Sequence, residues 1–204
     1  MVRSSVNTDE RNTLTRELVY TGFMSIDGIV DSPGGVAEGH SAGGWVPRTP
    51  FVPEAFALKG AELAETPALM FGRRSYEAFA PIWSTSEDHA AYRDLSKFVV
   101  SSTLDRGSLI DGWGDITVLR TVDDVAAVKA GDGGAIFIHG SAELARGLSE
   151  AGLIDRYNLL VFPVLLGEGK SIFSRAAQTG QTLRLRESEA YSNGVLKVVY
   201  DVER

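Results

Sequence analysis

Cysteine is missing from all 204 residues, which excludes disulfides, thiolate nucleophiles and cysteine-ligated metals and fits a reducing compartment. Histidine is scarce: His40, His89 and His139 stand far apart with no HExxH or carboxylate spacing, so no metal site is expected. A formal net charge of -7 leaves nothing to neutralise a nucleic-acid backbone at scale, although a local basic pair can still hold one small anion. No apolar run approaches the roughly 18 residues that span a bilayer, and the polar start from Met1 to Glu17 has no apolar signal core. The expectation is a cytoplasmic protein that binds neither nucleic acid nor membrane. GxGxxG and GxSxG are absent too. Gly167-Glu168-Gly169-Lys170-Ser171 looks like a P-loop but fails, because Val164 stands where that motif needs its first glycine.

What is present is ordinary globular material, with 44% hydrophobic and 23% charged residues, enough for one domain with a substantial core. Residues 1–16 lack apolar periodicity and read as a loose arm, leaving 17–204 as a single domain. Strands are expected at Leu18–Met24, Ala68–Phe71, Lys97–Val100, Ile116–Leu119, Ile136–His139 and Tyr157–Phe162. Helices are expected from Pro53, with Phe56, Leu58, Leu63 and Ala64 as the core face, after Gly72, over Val122–Ala130 and after Ser141. Pro81 and the polar run behind it interrupt the second of these. Alternation on both sides of Ser192-Asn193-Gly194 predicts a closing hairpin. The sum is an α/β fold: a mostly parallel sheet with an antiparallel C-terminal hairpin at its edge.

Three strand ends carry anion-compatible residues. Ile138-His139-Gly140 runs into Ser141, a natural N-cap, with Ala142, Glu143 and Leu144 opening a helix whose free N–H groups suit a phosphate. Gly72-Arg73-Arg74-Ser75 repeats that geometry with two guanidinium groups, which either clamp a phosphate or pair with Glu77 on a solvated face. Ser101-Ser102-Thr103 follows a third strand. Ligands of open parallel sheets bind beyond the carboxyl ends of strands, so the convergence outweighs each motif taken singly. Asp27 and Glu54 are carboxylates near that edge, either proton relays or plain turn and helix caps. The Gly/Pro-rich loop Ser32–Pro53, with Trp45, is long enough to wall a substrate pocket.

Five motifs in order, Met24-Ser25-Ile26-Asp27-Gly28, Phe71-Gly72-Arg73-Arg74-Ser75-Tyr76-Glu77, Val99-Val100-Ser101-Ser102-Thr103, Ile138-His139-Gly140-Ser141 and Pro163-Val164-Leu165-Leu166-Gly167-Glu168-Gly169, resemble the dihydrofolate reductase-like superfamily. Within it they look like the reductase domain of the riboflavin-biosynthesis deaminase–reductase and its free-standing bacterial relatives. The resemblance implies a three-layer α/β fold, a twisted, mostly parallel sheet with helices on both faces. It also implies NADPH as cofactor, a small heterocyclic or carbonyl/imine substrate, and a homodimer. By the same resemblance Gly72, Arg73, Arg74 and Ser75 would hold cofactor phosphates, and Ser101 and Ser102 would sit beside the adenosine ribose. Gly140, Ser141, Ala142, Glu143 and Leu144 would wrap the pyrophosphate, and Met24 and Ser25 would face the nicotinamide through the backbone. Glu54 lies near the carboxylate that dihydrofolate reductases carry on their first helix. His139 stands where the riboflavin enzymes usually place a substrate-contacting glutamate. Two other readings stay open: an NADPH-binding sensor without turnover, and plain dihydrofolate or pteridine reduction.

Overall fold

The structure is a computed structural model and describes residues 15–36, 39–65, 68–173 and 180–204. Its frame is one eight-stranded sheet. Strands β1 (Leu18–Ser25), β2 (Ala68–Gly72), β3 (Lys97–Val100), β4 (Ile116–Leu119), β5 (Ile136–His139) and β6 (Arg156–Phe162) are joined in parallel, and β7 (Leu183–Ala190) and β8 (Leu196–Val202) close one edge antiparallel. The spatial order is β4-β3-β2-β5-β1-β6-β8-β7. Central strands such as β5 and β2 read as unbroken apolar runs because both of their faces are covered.

Two helices cover each face. Ala142, Ala145 and Leu148 of α4 (Ala142–Glu150) and Val125 of α3 (Val122–Lys129) pack with Leu18, Tyr20, Met70, Ile136 and Ile138. On the other face Tyr76 and Ala80 of α2 (Arg73–Trp83) join Leu69, Phe71 and Val99, while Ala55 and Leu58 of α1 (Pro53–Ala64) join Leu160, Phe162 and Val199. This is the expected three-layer arrangement. No helix among the described residues is long and apolar enough to cross a membrane.

Local details depart from the sequence expectations. The arm lies outside the described residues up to position 14, and Arg16 is already tied in, its backbone N–H donating to Lys129 O and its Nε to Gly134 O. Helix α2 continues through Pro81 to Trp83. The proline sits close to the C-terminal end, so only one helical hydrogen bond is lost before the helix would stop anyway. On α1 the buried positions are Ala55, Leu58 and Glu62, while Ala64 is exposed; a charged residue occupies the innermost turn. Trp45, expected in a pocket wall, is 1% exposed. Its Nε1 donates to Asp31 O at 2.8 Å and its ring meets Phe162 edge-on, which makes it a core residue that folds the long loop down.

Candidate functional site

The carboxyl ends of β2, β3 and β5 open on one cleft of about 820 Å³. Gly72 to Ser75, Ser101 to Thr103 and Gly140 to Leu144 all line it, so three motifs far apart in sequence share one wall. Two of these ends are bonded to each other. Gly72 N donates to Ser141 Oγ at 2.7 Å, and Ser141 N donates to Ser75 Oγ at 2.9 Å. Ser141 therefore does not cap α4 with its side chain, as a serine at that place is expected to; its hydroxyl holds the neighbouring strand end instead. Gly140 and Ser141 both adopt left-handed backbone, at φ 62° and 57°. At Gly140 a Cβ would meet Phe79 and Ser75 Oγ at 3.1 Å, so glycine is needed for space as well as for φ. With the serine hydroxyl turned away, the first N–H groups of α4 face the cleft without a cap.

The cations around this wall have different freedom. Arg73 donates to Glu77 Oε1 at 2.7 Å and to Thr103 Oγ1 at 3.1 Å, so it serves both the helix face and the β3 loop. Arg74 is mostly exposed and 3.8 Å from Glu143, a loose surface pair of small energetic weight. Arg120 was not anticipated. It follows β4, lines the cleft, and donates to the carbonyls of Ser101 and Leu104 at 2.9 and 2.8 Å. Asp124 fixes its backbone, accepting from Arg120 N at 2.7 Å, and the N–H groups of Arg120 and Thr121 hold that carboxyl below its ordinary range. The signal was available: β4 was legible as a strand, and the residue after its last apolar position is this arginine. Ser101 Oγ accepts from the N–H groups of Thr103 and Leu104, leaving Ser102 as the exposed hydroxyl of that loop.

Both expected catalytic carboxylates stand away from the cleft. Asp27 is exposed and organises a turn: Ser25 Oγ donates to it at 2.5 Å and Gly167 N at 2.6 Å, and these bonds lower its pKa. Glu54 lies exposed in the first turn of α1. Ser25 itself is buried, its hydroxyl committed to Asp27 and to Ile29 N, and Met24 is partly buried against the core. Neither of those two side chains lines the cleft, whose floor is instead Tyr20, Gly22 and Phe23.

Polar chemistry is concentrated deeper, under α1. The register sets Thr21 of β1 beside His139 of β5 on one side and Asn158 of β6 on the other. This polar row is buried, and Glu62 descends onto it. Thr21 Oγ1 donates to Glu62 Oε1 at 2.6 Å, Asn158 Nδ2 donates to the same oxygen at 2.9 Å, and Lys59 Nζ lies 3.3 Å from Oε2 while also donating to Thr21 Oγ1. The His139 ring is walled by Trp83, Tyr92 and Phe71, with centroids at 5.5, 5.7 and 6.4 Å. Burial, the Lys59 charge and His89 all push its pKa well down, so this imidazole is neutral. Burial and the nearby Glu62 charge raise the Tyr92 phenol to about 12. Lys59, Glu62, Thr21 and Asn158 were not singled out from sequence; positions 21, 59, 62 and 158 meet only through the sheet order.

The comparisons agree with this architecture. One similar structure is the crystal structure of a riboflavin-biosynthesis candidate from Shewanella sp. PV-4, which superposes with a TM-score of 0.70 at 18% identity, covering 92% of this chain and 99% of that one. Dihydrofolate reductase from Enterococcus faecalis, solved with NADP(H), gives a TM-score of 0.59 at 13% identity over 92% and 97% of the two chains. The uncharacterized protein YyaP of Bacillus subtilis (strain 168) is 27% identical over 145 residues, 68% of this chain and 75% of its own length. The model of the RibD C-terminal domain matches residues 16–197. With that match spanning nearly every element of the sheet, the chain belongs to the RibD C-terminal domain family.

Proposed function

We propose that this protein is an NADPH-dependent reductase that delivers hydride to a small heterocyclic or carbonyl/imine substrate. The observation that carries the reading is the single cleft shared by Gly72–Ser75, Ser101–Thr103, Arg120 and the start of α4. Its donors match a dinucleotide phosphate. Uncapped helix N–H groups suit a pyrophosphate, and the Arg73, Arg74 and Arg120 guanidiniums beside the Ser102 hydroxyl suit a further ribose phosphate. The missing Cβ at Gly140 lets Phe79 and Ser75 close against the turn, which holds the start of α4 in place beside the cleft. A bound nicotinamide would supply hydride; the chain's own work is to hold it against the acceptor and keep water out.

The test is a titration with NADPH and, separately, NADH. Trp83 is a natural reporter, because it stacks at 5.0 Å on Phe79 of the cleft wall. NADPH is expected to quench its fluorescence at lower concentration than NADH. Equal affinity for both removes the 2′-phosphate role of the arginines, and no binding to either removes the reductase reading. The exposed positions of Asp27 and Glu54 favour a second reading, an NADPH-binding sensor without turnover, unless another group supplies the proton.

A further inference from the structure

Phe23 lines the cleft, and its ring also packs against the ammonium of Lys59, which belongs to the polar cluster under α1 and keeps one unused N–H donor among the described residues. We propose that Lys59, seated on Glu62 and Thr21, binds and protonates the substrate, and that this substrate is a planar conjugated ring bearing a carbonyl or imine acceptor. The proposal rests on the reductase reading above.

Valence comes first. An ammonium has three N–H donors. On Lys59 one goes to Thr21 Oγ1 and one to Glu62 Oε2, which leaves one without a partner among the described residues. The Lys59 side chain is 19% exposed and that of Glu62 4%, so the pair presents its lysine to the open side. Lys97 provides the contrast. Its Nζ donates to the carbonyls of Tyr92, Arg93 and Leu95 at 2.8, 2.8 and 2.6 Å and is 0% exposed, a saturated lysine with nothing left to offer.

The surroundings define the ligand. Lys59 Nζ lies 5.6 Å from the centroid of the Phe23 ring, which also lines the cleft. Phe79 stacks on Trp83 at 5.0 Å, and Trp83 stacks on His89 at 4.6 Å. Flat rings on this wall suit a flat ligand. Glu62 and His139 are the titratable groups in electrostatic contact with Lys59, His89 acts on His139, and Tyr92 feels the Glu62 charge. Among them Glu62 balances its charge, while His139 is neutral and adds none. Burial lowers the Lys59 pKa, which makes it a better acid than an exposed lysine, and Glu62 opposes that shift without reversing it.

The step balances as follows. The acceptor carbon of the substrate gains hydride from a reduced nicotinamide, forming a C–H bond as the C=O or C=N π bond breaks. The π electrons pass to the oxygen or nitrogen, which takes the proton from Lys59 Nζ. Substrate is reduced, nicotinamide oxidised, and the neutral lysine regains a proton from solvent at the open side.

The experiment uses the full chain as wild type, Lys59→Met and Lys59→Arg, with a naphthoquinone as carbonyl probe and a dihydropterin as imine probe. NADPH binding is read first, by Trp83 fluorescence; its absence overturns both readings together. Probe binding to the NADP⁺-loaded protein and NADPH oxidation are read next. Wild type is expected to bind and reduce at least one probe. Lys59→Met should weaken probe binding about tenfold or more with NADP⁺ affinity unchanged. Lys59→Arg keeps the charge but does not release a proton in this range, so the probe should bind while kcat falls about 100-fold. The alkaline fall of the wild-type kcat should vanish in that variant. If wild type binds NADPH but neither probe, or if either variant turns over a probe as wild type does, the proposal is overturned and Lys59 is only a staple between α1 and the sheet.

Discussion

The two halves of this site are built in opposite ways. The outer half, at the ends of β2, β3 and β5, relies on backbone N–H groups, glycine and exposed cations. The inner half, under α1, relies on the buried side chains of Thr21, Glu62, His139 and Asn158 and on the partly exposed Lys59. The outer half would offer its backbone donors to an anion almost whatever its helices carry farther along. The inner half stands or falls with individual atoms, because each buried polar group there needs its partner. One part is a general holder, the other a specific one.

Substitutions can break or sharpen that division. The largest effect is expected for Glu62→Ala, which strands the Lys59 charge and leaves Thr21 and Asn158 without their acceptor. Denaturant unfolding should show a loss of about 3–5 kcal/mol. A loss near zero would mean that water already reaches this cluster and that the inner half is not a buried one.

Lys97→Met comes next, leaving three carbonyls unpaired at a cost of about 2–3 kcal/mol with cofactor affinity unchanged. Lys97 also sets a pH dependence. Burial lowers its pKa to about 8 from 10.5, so between those values the unfolded chain holds more protons than the folded one. Its contribution to stability therefore rises with pH through that window and is lowest below the folded value. Unfolding measured on either side of the window should show this slope in wild type and not in Lys97→Met.

Gly140→Val tests the outer half. A Cβ there meets Phe79 and Ser75 at 3.1 Å on a left-handed backbone. Strain of about 1–3 kcal/mol is expected, together with an NADPH affinity about tenfold lower or worse, read by the same fluorescence titration. The smallest effect belongs to Arg73→Ala or Arg74→Ala. Each should weaken NADPH more than NADH by up to about tenfold, and less at high salt, since both guanidiniums are exposed.

What was legible in the sequence follows the same division. Backbone-built binding leaves local marks: an apolar run, a glycine, then a hydroxyl or cation opening a helix. The convergence of Gly72–Ser75, Ser101–Ser102 and Gly140–Leu144 at one sheet edge was readable for that reason, and the sheet with its closing hairpin was readable from period and turn chemistry. Side-chain clusters leave no such mark. The expected core face of α1, Phe56, Leu58, Leu63 and Ala64, left out Glu62, because helical spacing shows which residues share a face but not which face is buried. Thr21 and Asn158 fall inside the expected strands Leu18–Met24 and Tyr157–Phe162, where nothing local sets a polar side chain apart. Trp45 was misread for a related reason: an aromatic in a Gly/Pro-rich loop can line a cavity or fill the core, and only the position of Phe162 decides.

The place of β1 carries a consequence for how the molecule is made. This strand is the first of the sheet in chain order, yet both of its neighbours, β5 and β6, come from beyond residue 135. During synthesis it waits unpaired, an apolar segment with no partner, until more than half of the chain has emerged. Such remote pairing is slow to close, and a strand left waiting is open to wrong partners. The same late closure joins Thr21 to His139 and Asn158, so the inner site and the centre of the sheet come into being in one step.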